Sequence, residues 1–146
     1  MKRQAITPGN PLPDSIVQMP GRAVRKLLGL VQAEEISIVR GPRTGLVMMA
    51  ALDSFDEEFY LGEVFVTEVE VEYAGCRGYG MVIGDDAERA MARASVEAVL
   101  ASSNVALRER LTRFLNLEAR KQETRRKRES SLIARTRVDF ETMKRT

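Results

Sequence analysis

The chain of 146 residues contains no histidine, no tryptophan and a single cysteine, Cys76. Without histidine, neither Ser-His-Asp nor Cys-His nucleophile activation can be assembled within it, and no imidazole metal site is available. One thiol can neither close an intrachain disulfide nor build a thiolate cluster. Carboxylate or lysine chemistry remains open in principle. However, no close pair of carboxylates lies in an apolar setting, and Asp85-Asp86 reads more simply as a helix start, where acids favour the positive end of the helix dipole. No catalytic residue and no metal ligand is therefore nominated. The longest apolar run, Gly45 to Leu52, is far shorter than the roughly 20 residues that cross a bilayer. Met1-Lys2-Arg3 leads into Pro8, Gly9, Asn10, Pro11 and Pro13 and not into an apolar segment, which is not how a secretory signal is built. A cytoplasmic location is expected, and the lone Cys76 agrees with it.

What remains is an ordinary globular balance: 44% hydrophobic, 30% charged and a formal net charge of +2. This length suits a single domain spanning 1–146, with residues 1–14 as an irregular leader. Val24, Leu27, Leu28 and Val31 recur at three-and-four spacing, predicting a short amphipathic helix with Arg22, Arg25 and Lys26 outward. Ile36 and Ile38 open a strand that Gly41-Pro42 is expected to turn, and the continuous apolar run Thr44 to Leu52 predicts a buried central strand. Between Phe59 and Tyr73 the valines change phase, from Val64 and Val66 to Val69 and Val71. This predicts a bulge or break near Thr67 that would put both sets on one face. Gly75 turns the chain into a return strand, Arg77 to Ile83, in which Gly78 and Gly80 are expected to relieve crowding.

Asp85 and Glu88 make a capping-box-like helix start. The helix that follows carries Ala87, Ala90, Met91, Ala94, Ala98 and Ala101 on one stripe, small enough to lie directly on the sheet. Asn104 is expected to cap a second helix with Leu107, Leu111, Phe114 and Leu115 inward. The fold class is α+β: an antiparallel sheet of about four strands with helices packed on one face and a C-terminal docking tail.

Residues 120–146 form the charged arm and that tail. Arg120 to Ser131 is almost wholly polar, with Arg125, Arg126, Lys127 and Arg128 in succession, so it reads as a solvated helix or frayed arm. Val138, Phe140 and Met143 beyond it are expected to pack either back across the chain's own sheet or, the favoured reading, onto another subunit as a partner interface. The arginine run offers a rival function, electrostatic contact with nucleic acid. A small net charge and the absence of interleaved aromatics argue against that reading. A structural adaptor without enzymatic context is the second rival.

Several segments resemble a known family. Pro42-Arg43-Thr44-Gly45-Leu46-Val47-Met48, Phe59 to Thr67, Gly78-Tyr79-Gly80-Met81-Val82-Ile83-Gly84, the alanine-rich helix after Asp86 and the closing Arg137-Val138-Asp139-Phe140-Glu141-Thr142-Met143 are, in order and spacing, similar to the PhnG subunit of the bacterial carbon-phosphorus lyase system. The resemblance implies a subunit of the enzyme that joins methylphosphonate to the ribose of ATP, displacing adenine. ATP and methylphosphonate would be substrates of the complex, no cofactor would be bound by this chain, and PhnH, PhnI and PhnJ subunits would be its partners. Arg40, Arg43, Arg137, Lys144 and Arg145, attached to the matching segments, are candidate phosphate or phosphonate contacts, since arginine forks suit such oxygens. The chain departs from the pattern at Arg43, where an acid is usual, and at Glu68 and Asp85, where arginines are usual.

Overall fold

The computed structural model describes residues 15–32 and 34–135. A 3-10 turn, Ser15–Gln18, precedes helix α1, Gly21–Val31; three strands follow, β1 Ser37–Leu52, β2 Glu58–Tyr73 and β3 Cys76–Ile83; two helices close the chain, α2 Ala87–Ala101 and α3 Val105–Arg135. The expected leader 1–14 and the docking tail lie outside the described residues. The strands form one antiparallel sheet in the order β1-β2-β3. The architecture is the α+β one expected, with three strands where about four were anticipated.

The difference in strand count lies at Gly41-Pro42. The pairing passes from Arg40 opposite Glu70 to Arg43 opposite Glu68, so Gly41 and Pro42 together face Val69 as a bulge and the strand continues instead of turning. Gly41 takes φ +84°, and a Cβ there would lie 2.7 Å from the carbonyl oxygen of Glu68. Further register shifts fall between Ile38 and Arg40 and between Met49 and Ala50. None inserts a residue into β2 at Thr67, which pairs with Thr44. Across the β2–β3 pairing the register runs unbroken from Val66 opposite Ile83 to Tyr73 opposite Cys76. The expected bulge is therefore absent, and the two valine sets point to opposite faces: Thr67, Val69, Val71 and Tyr73 are buried in one phase, and Val66 is buried in the other.

Helix α2 lies on β3 because the sheet offers no side chains where the helix comes closest. A Cβ at Gly78 would stand 1.9 Å from the carbonyl oxygen of Ala94, and one at Gly80 would stand 2.0 Å from that of Ala90. Both glycines thus serve the close approach anticipated from the alanine stripe. The helix is buried on its other sides as well, at Ala92, Val96 and Val99, since α1 and α3 pack behind it. Leu27 and Val24 of α1 and Leu107, Leu111 and Leu115 of α3 complete one contiguous core.

The caps are mostly as anticipated. The Asn104 side chain accepts the Leu107 N–H at 3.1 Å. At α2 the cap is Asp86, which accepts the Arg89 N–H at 2.9 Å, and not Asp85. The Asp86 amide in turn donates to the Thr67 hydroxyl at 3.2 Å, and that hydroxyl donates to the Gly84 carbonyl at 2.6 Å, which ties the helix start to β2. Burial alone would raise the Asp86 carboxyl pKa, but the Arg89 amide and guanidinium hold it below the usual value. Arg89 Nη1 also donates to the carbonyls of Ile16, at 2.7 Å, and Met19, at 2.6 Å, clamping the 3-10 turn onto α2. The hairpin between β2 and β3 turns on Ala74 at φ 49° and Gly75 at φ 76°, the two positive values that match the twist of paired strands.

The apolar run Thr44 to Leu52 is not a buried central strand. β1 is an edge strand, and these residues are exposed apart from a half-buried Ala51. Because β3 ends opposite Val66, β1 and β2 run on beyond it as a two-stranded ribbon that no helix of the described residues covers. An uninterrupted apolar run is compatible with burial on both faces; here its residues are left bare on both.

Candidate functional site

Two surfaces of the sheet carry functional interest, and they share the strands β1 and β2. The first is the face opposite α2 over the helix-backed half. Glu68, Glu70 and Glu72 alternate along β2 and so project together. Across the ladder from β1 come Arg40 and Arg43, and from β3 come Arg77 and Tyr79. The Arg43 guanidinium and the Tyr79 hydroxyl both donate to Glu68. Arg40 Nη2 lies 3.3 Å from Glu70, while Arg77 donates to Glu70 at 2.9 Å and lies 3.6 Å from Glu72.

This ladder is an alternation of charge fixed by strand register. The hydrogen bond from Tyr79, followed by that from Arg43, keeps the Glu68 carboxyl below its ordinary pKa. Burial, reinforced by the bond to Glu68, pushes the Tyr79 phenol above its own. Arg40 and Arg43, the two described members of the candidate anion-binding set, are thus brought onto one face and are each paired with a carboxylate of their own chain. A ligand anion would have to displace Glu68 and Glu70 to use them fully. Arg43 and Glu68, the two adjacent positions where a departure from the family pattern was expected, are partners across β1 and β2. The Glu-x-Glu-x-Glu spacing at 68, 70 and 72 was the sequence signal for this face; the valines interleaved with it drew attention to the buried side alone.

The other predicted residues, Arg137, Lys144 and Arg145 as anion contacts and Val138, Phe140 and Met143 as interface, lie outside the described residues.

The second surface is the ribbon. Ten of its large hydrophobic side chains are exposed, among them Leu46 at 62%, Met48 at 57%, Phe55 at 82%, Tyr60 at 71% and Leu61 at 59%. At its tip the Asp53 carboxylate accepts the amides of Phe55 at 2.8 Å and Glu57 at 3.0 Å, giving the turn a defined shape. Composition and spacing located these strands but not their exposure, because an apolar run looks the same whether its cover lies inside or outside the chain.

Elsewhere, a surface groove of about 690 Å³ beside α3 is lined by Leu100, Arg108, Glu109 and Arg113 among others, with no nucleophile or carboxylate pair gathered in it. No group of side chains suited to hold a metal ion occurs among the described residues. On α3 the basic run is helical, with Lys121 paired to Glu118 at 2.8 Å, Lys127 to Glu123 at 3.1 Å and Arg126 donating to Gln18 at 3.3 Å. No helix of the described residues is long and apolar enough to cross a membrane.

Two likenesses to known proteins bear on this geometry. The model of the family described as phosphonate metabolism protein PhnG matches residues 14–146. The alpha-D-ribose 1-methylphosphonate 5-triphosphate synthase subunit PhnG of Rhizobium meliloti (strain 1021) is 38% identical over 116 residues, which span 75% of this chain and 70% of the relative.

Proposed function

The chain belongs to the PhnG family of phosphonate metabolism proteins, and from that membership we propose that it works as a supporting subunit of the synthase complex that makes α-D-ribose 1-methylphosphonate 5-triphosphate. The observation that carries this reading is the family match, which runs through every strand and helix described above, together with a relative whose name is that of a synthase subunit. In the reaction, methylphosphonate replaces adenine at the ribose of ATP. ATP and methylphosphonate are then substrates of the complex, held between or on partners of the PhnH, PhnI and PhnJ type, in the cytoplasm.

Within such a complex this chain's part is to shape and hold the assembly. Its described side chains gather an ion-pair ladder and a bare apolar ribbon, which are the means of docking rather than of bond breaking. Arg40 and Arg43 have a second role as anion contacts, freed when a partner engages Glu68 and Glu70.

The test is adenine release from ATP in the presence of methylphosphonate, with the partner subunits purified with and without this chain. Transfer that appears only when the chain is added supports an obligatory synthase subunit. Transfer unchanged by its omission overturns the reading.

A further inference from the structure

We propose that the ribbon formed by residues 44–52 and 58–66 is the docking element for a different chain of the complex, one that presents an apolar groove flanked by arginine or lysine. This rests on the proposed function, in that a multisubunit synthase supplies the partner, and it adds which surface is used and what that partner must look like.

The ribbon's charge carries the argument. Between Thr44 and Val66 there are five carboxylates, at Asp53, Asp56, Glu57, Glu58 and Glu63, and no lysine or arginine. The acids sit at the tip and on β2, with Glu63 opposite Met48, and the exposed apolar side chains of both strands run back from them. A soluble protein rarely leaves so large an apolar patch bare unless something covers it, and a single-sign rim selects an occupant of opposite sign. The edges add to the case. β1 pairs only with β2, and residues 58–64 of β2 lie past the end of β3, so the outer backbone groups of both ribbon strands face outward among the described residues.

A second copy of this chain fits poorly in either arrangement. Ribbon against ribbon sets five carboxylates against five. The chain does hold a basic surface, residues 119–135, where seven cations outnumber the two carboxylates Glu123 and Glu129, but the large exposed apolar side chains there are only Leu132 and Ile133. Two cannot cover ten. Among the described residues no surface of this chain joins an apolar floor to a basic rim, and a distinct partner that brings both together fits the ribbon.

The test places a photo-crosslinking phenylalanine analogue at position 60 of the ribbon, and separately at Arg113 on α3 as a control, in the complex assembled with PhnH-, PhnI- and PhnJ-type subunits. Crosslinking from position 60 to a different subunit is expected. Alongside it, Tyr60→Ser/Leu61→Ser should weaken assembly by at least tenfold, roughly the loss of one interface anchor, while the thermal unfolding of the chain stays unchanged. Glu57→Gln/Glu58→Gln/Glu63→Gln should slow association and flatten its dependence on salt. An active complex in which position 60 crosslinks to nothing, or to a second copy of this chain, overturns the inference while leaving the functional reading intact. A chain that joins no complex and has no effect on transfer overturns both.

Discussion

The same two strands, β1 and β2, lead two different lives. Where β3 and α2 stand beside them, side chains alternate between a buried face of Thr67, Val69 and Val71 and an open face of paired charges. About eight residues earlier in β2 the neighbours are gone, and Phe59, Tyr60 and Leu61 are exposed in succession. The uncovered half is the more apolar of the two, with 12 hydrophobic residues among the 17 of 44–52 and 58–65 against 6 among the 15 of 37–43 and 66–73. What also differs is whether other described residues of the chain cover them. In the first half hydrophobic side chains report on the fold, and in the second they report on an assembly, so the sheet is at once the floor of this chain's core and an unfinished surface.

The sharpest way to expose that contrast is to add one methyl group to each half. Gly80→Ala puts a Cβ against the backbone of Ala90, which the end of a flexible side chain cannot absorb, so α2 must lift from the sheet. A loss of about 3 kcal/mol or more is expected, in the range of overpacked cores. Gly45→Ala, in the ribbon, meets nothing within 4 Å and should change stability by less than about 0.5 kcal/mol. Chemical denaturation of both variants by circular dichroism reads the difference. If Gly80→Ala is as stable as the parent, α2 does not rest on β3 as described.

A second substitution probes how firmly the helix-backed half is knitted to the start of the chain. Arg89 bonds the Asp86 cap and the carbonyls of Ile16 and Met19 at once. Arg89→Met keeps much of the packing but removes the guanidinium donor from both carbonyls, that of Ile16 retaining the Met19 amide at 3.2 Å, which should cost about 2 kcal/mol. Hydrogen exchange should then accelerate in residues 15–24 and in the first turn of α2, with the ribbon unaffected. Equal acceleration in the ribbon would mean that the two halves open together, and the contrast drawn between them would fail.

The legibility of these halves from sequence follows the same divide. The α1 stripe, the alanine helix, the Asn104 cap and the Gly75 turn were readable because each is decided by local spacing or by chain conformation, and each is satisfied inside the chain. Gly78 and Gly80 were assigned their role of relieving crowding for the same reason. Three failures involve β1 and β2. One is the bulge expected near Thr67, absent because the two valine sets serve opposite faces of a strand in unbroken register with β3. Gly41-Pro42 has the composition of a turn, yet one-residue excess pairing lets the strand absorb it as a bulge, and no local signal separates the two outcomes. Thr44 to Leu52 has the composition of a core strand, and only the length of β3, set by Gly84 and the Asp86 cap, leaves it uncovered. At the candidate site Arg40 and Arg43 were expected on either side of a turn, whereas β1 carries both, and their partners depend on a register that the bulges shift.

The ion-pair ladder offers the finest comparison, because its effects should be small and should depend on pH and sequence together. Glu68 has its pKa lowered in the folded chain, by Tyr79 first and then by Arg43. The stabilisation it contributes is therefore present above the carboxylate's unfolded pKa and is lost as pH falls through the lower folded value. The gap in stability between the parent and Glu68→Gln should accordingly be open at neutral pH and close on the acid side. Since the ladder is solvent-exposed, the gap should also narrow in high salt. Reversing one charge, by Arg43→Glu or by Glu68→Arg, places like charges across the strands and should destabilise. Reversing both restores an opposite-charge pair, with the acid on β1 and the arginine on β2, and should recover most of the loss in a double-mutant cycle. Recovery would identify Arg43 and Glu68 as one pair that keeps the helix-backed face electrically balanced. Strict additivity would mean that the two residues act independently, and then the balance of that face would have to rest on Arg40, Glu70 and Arg77 alone.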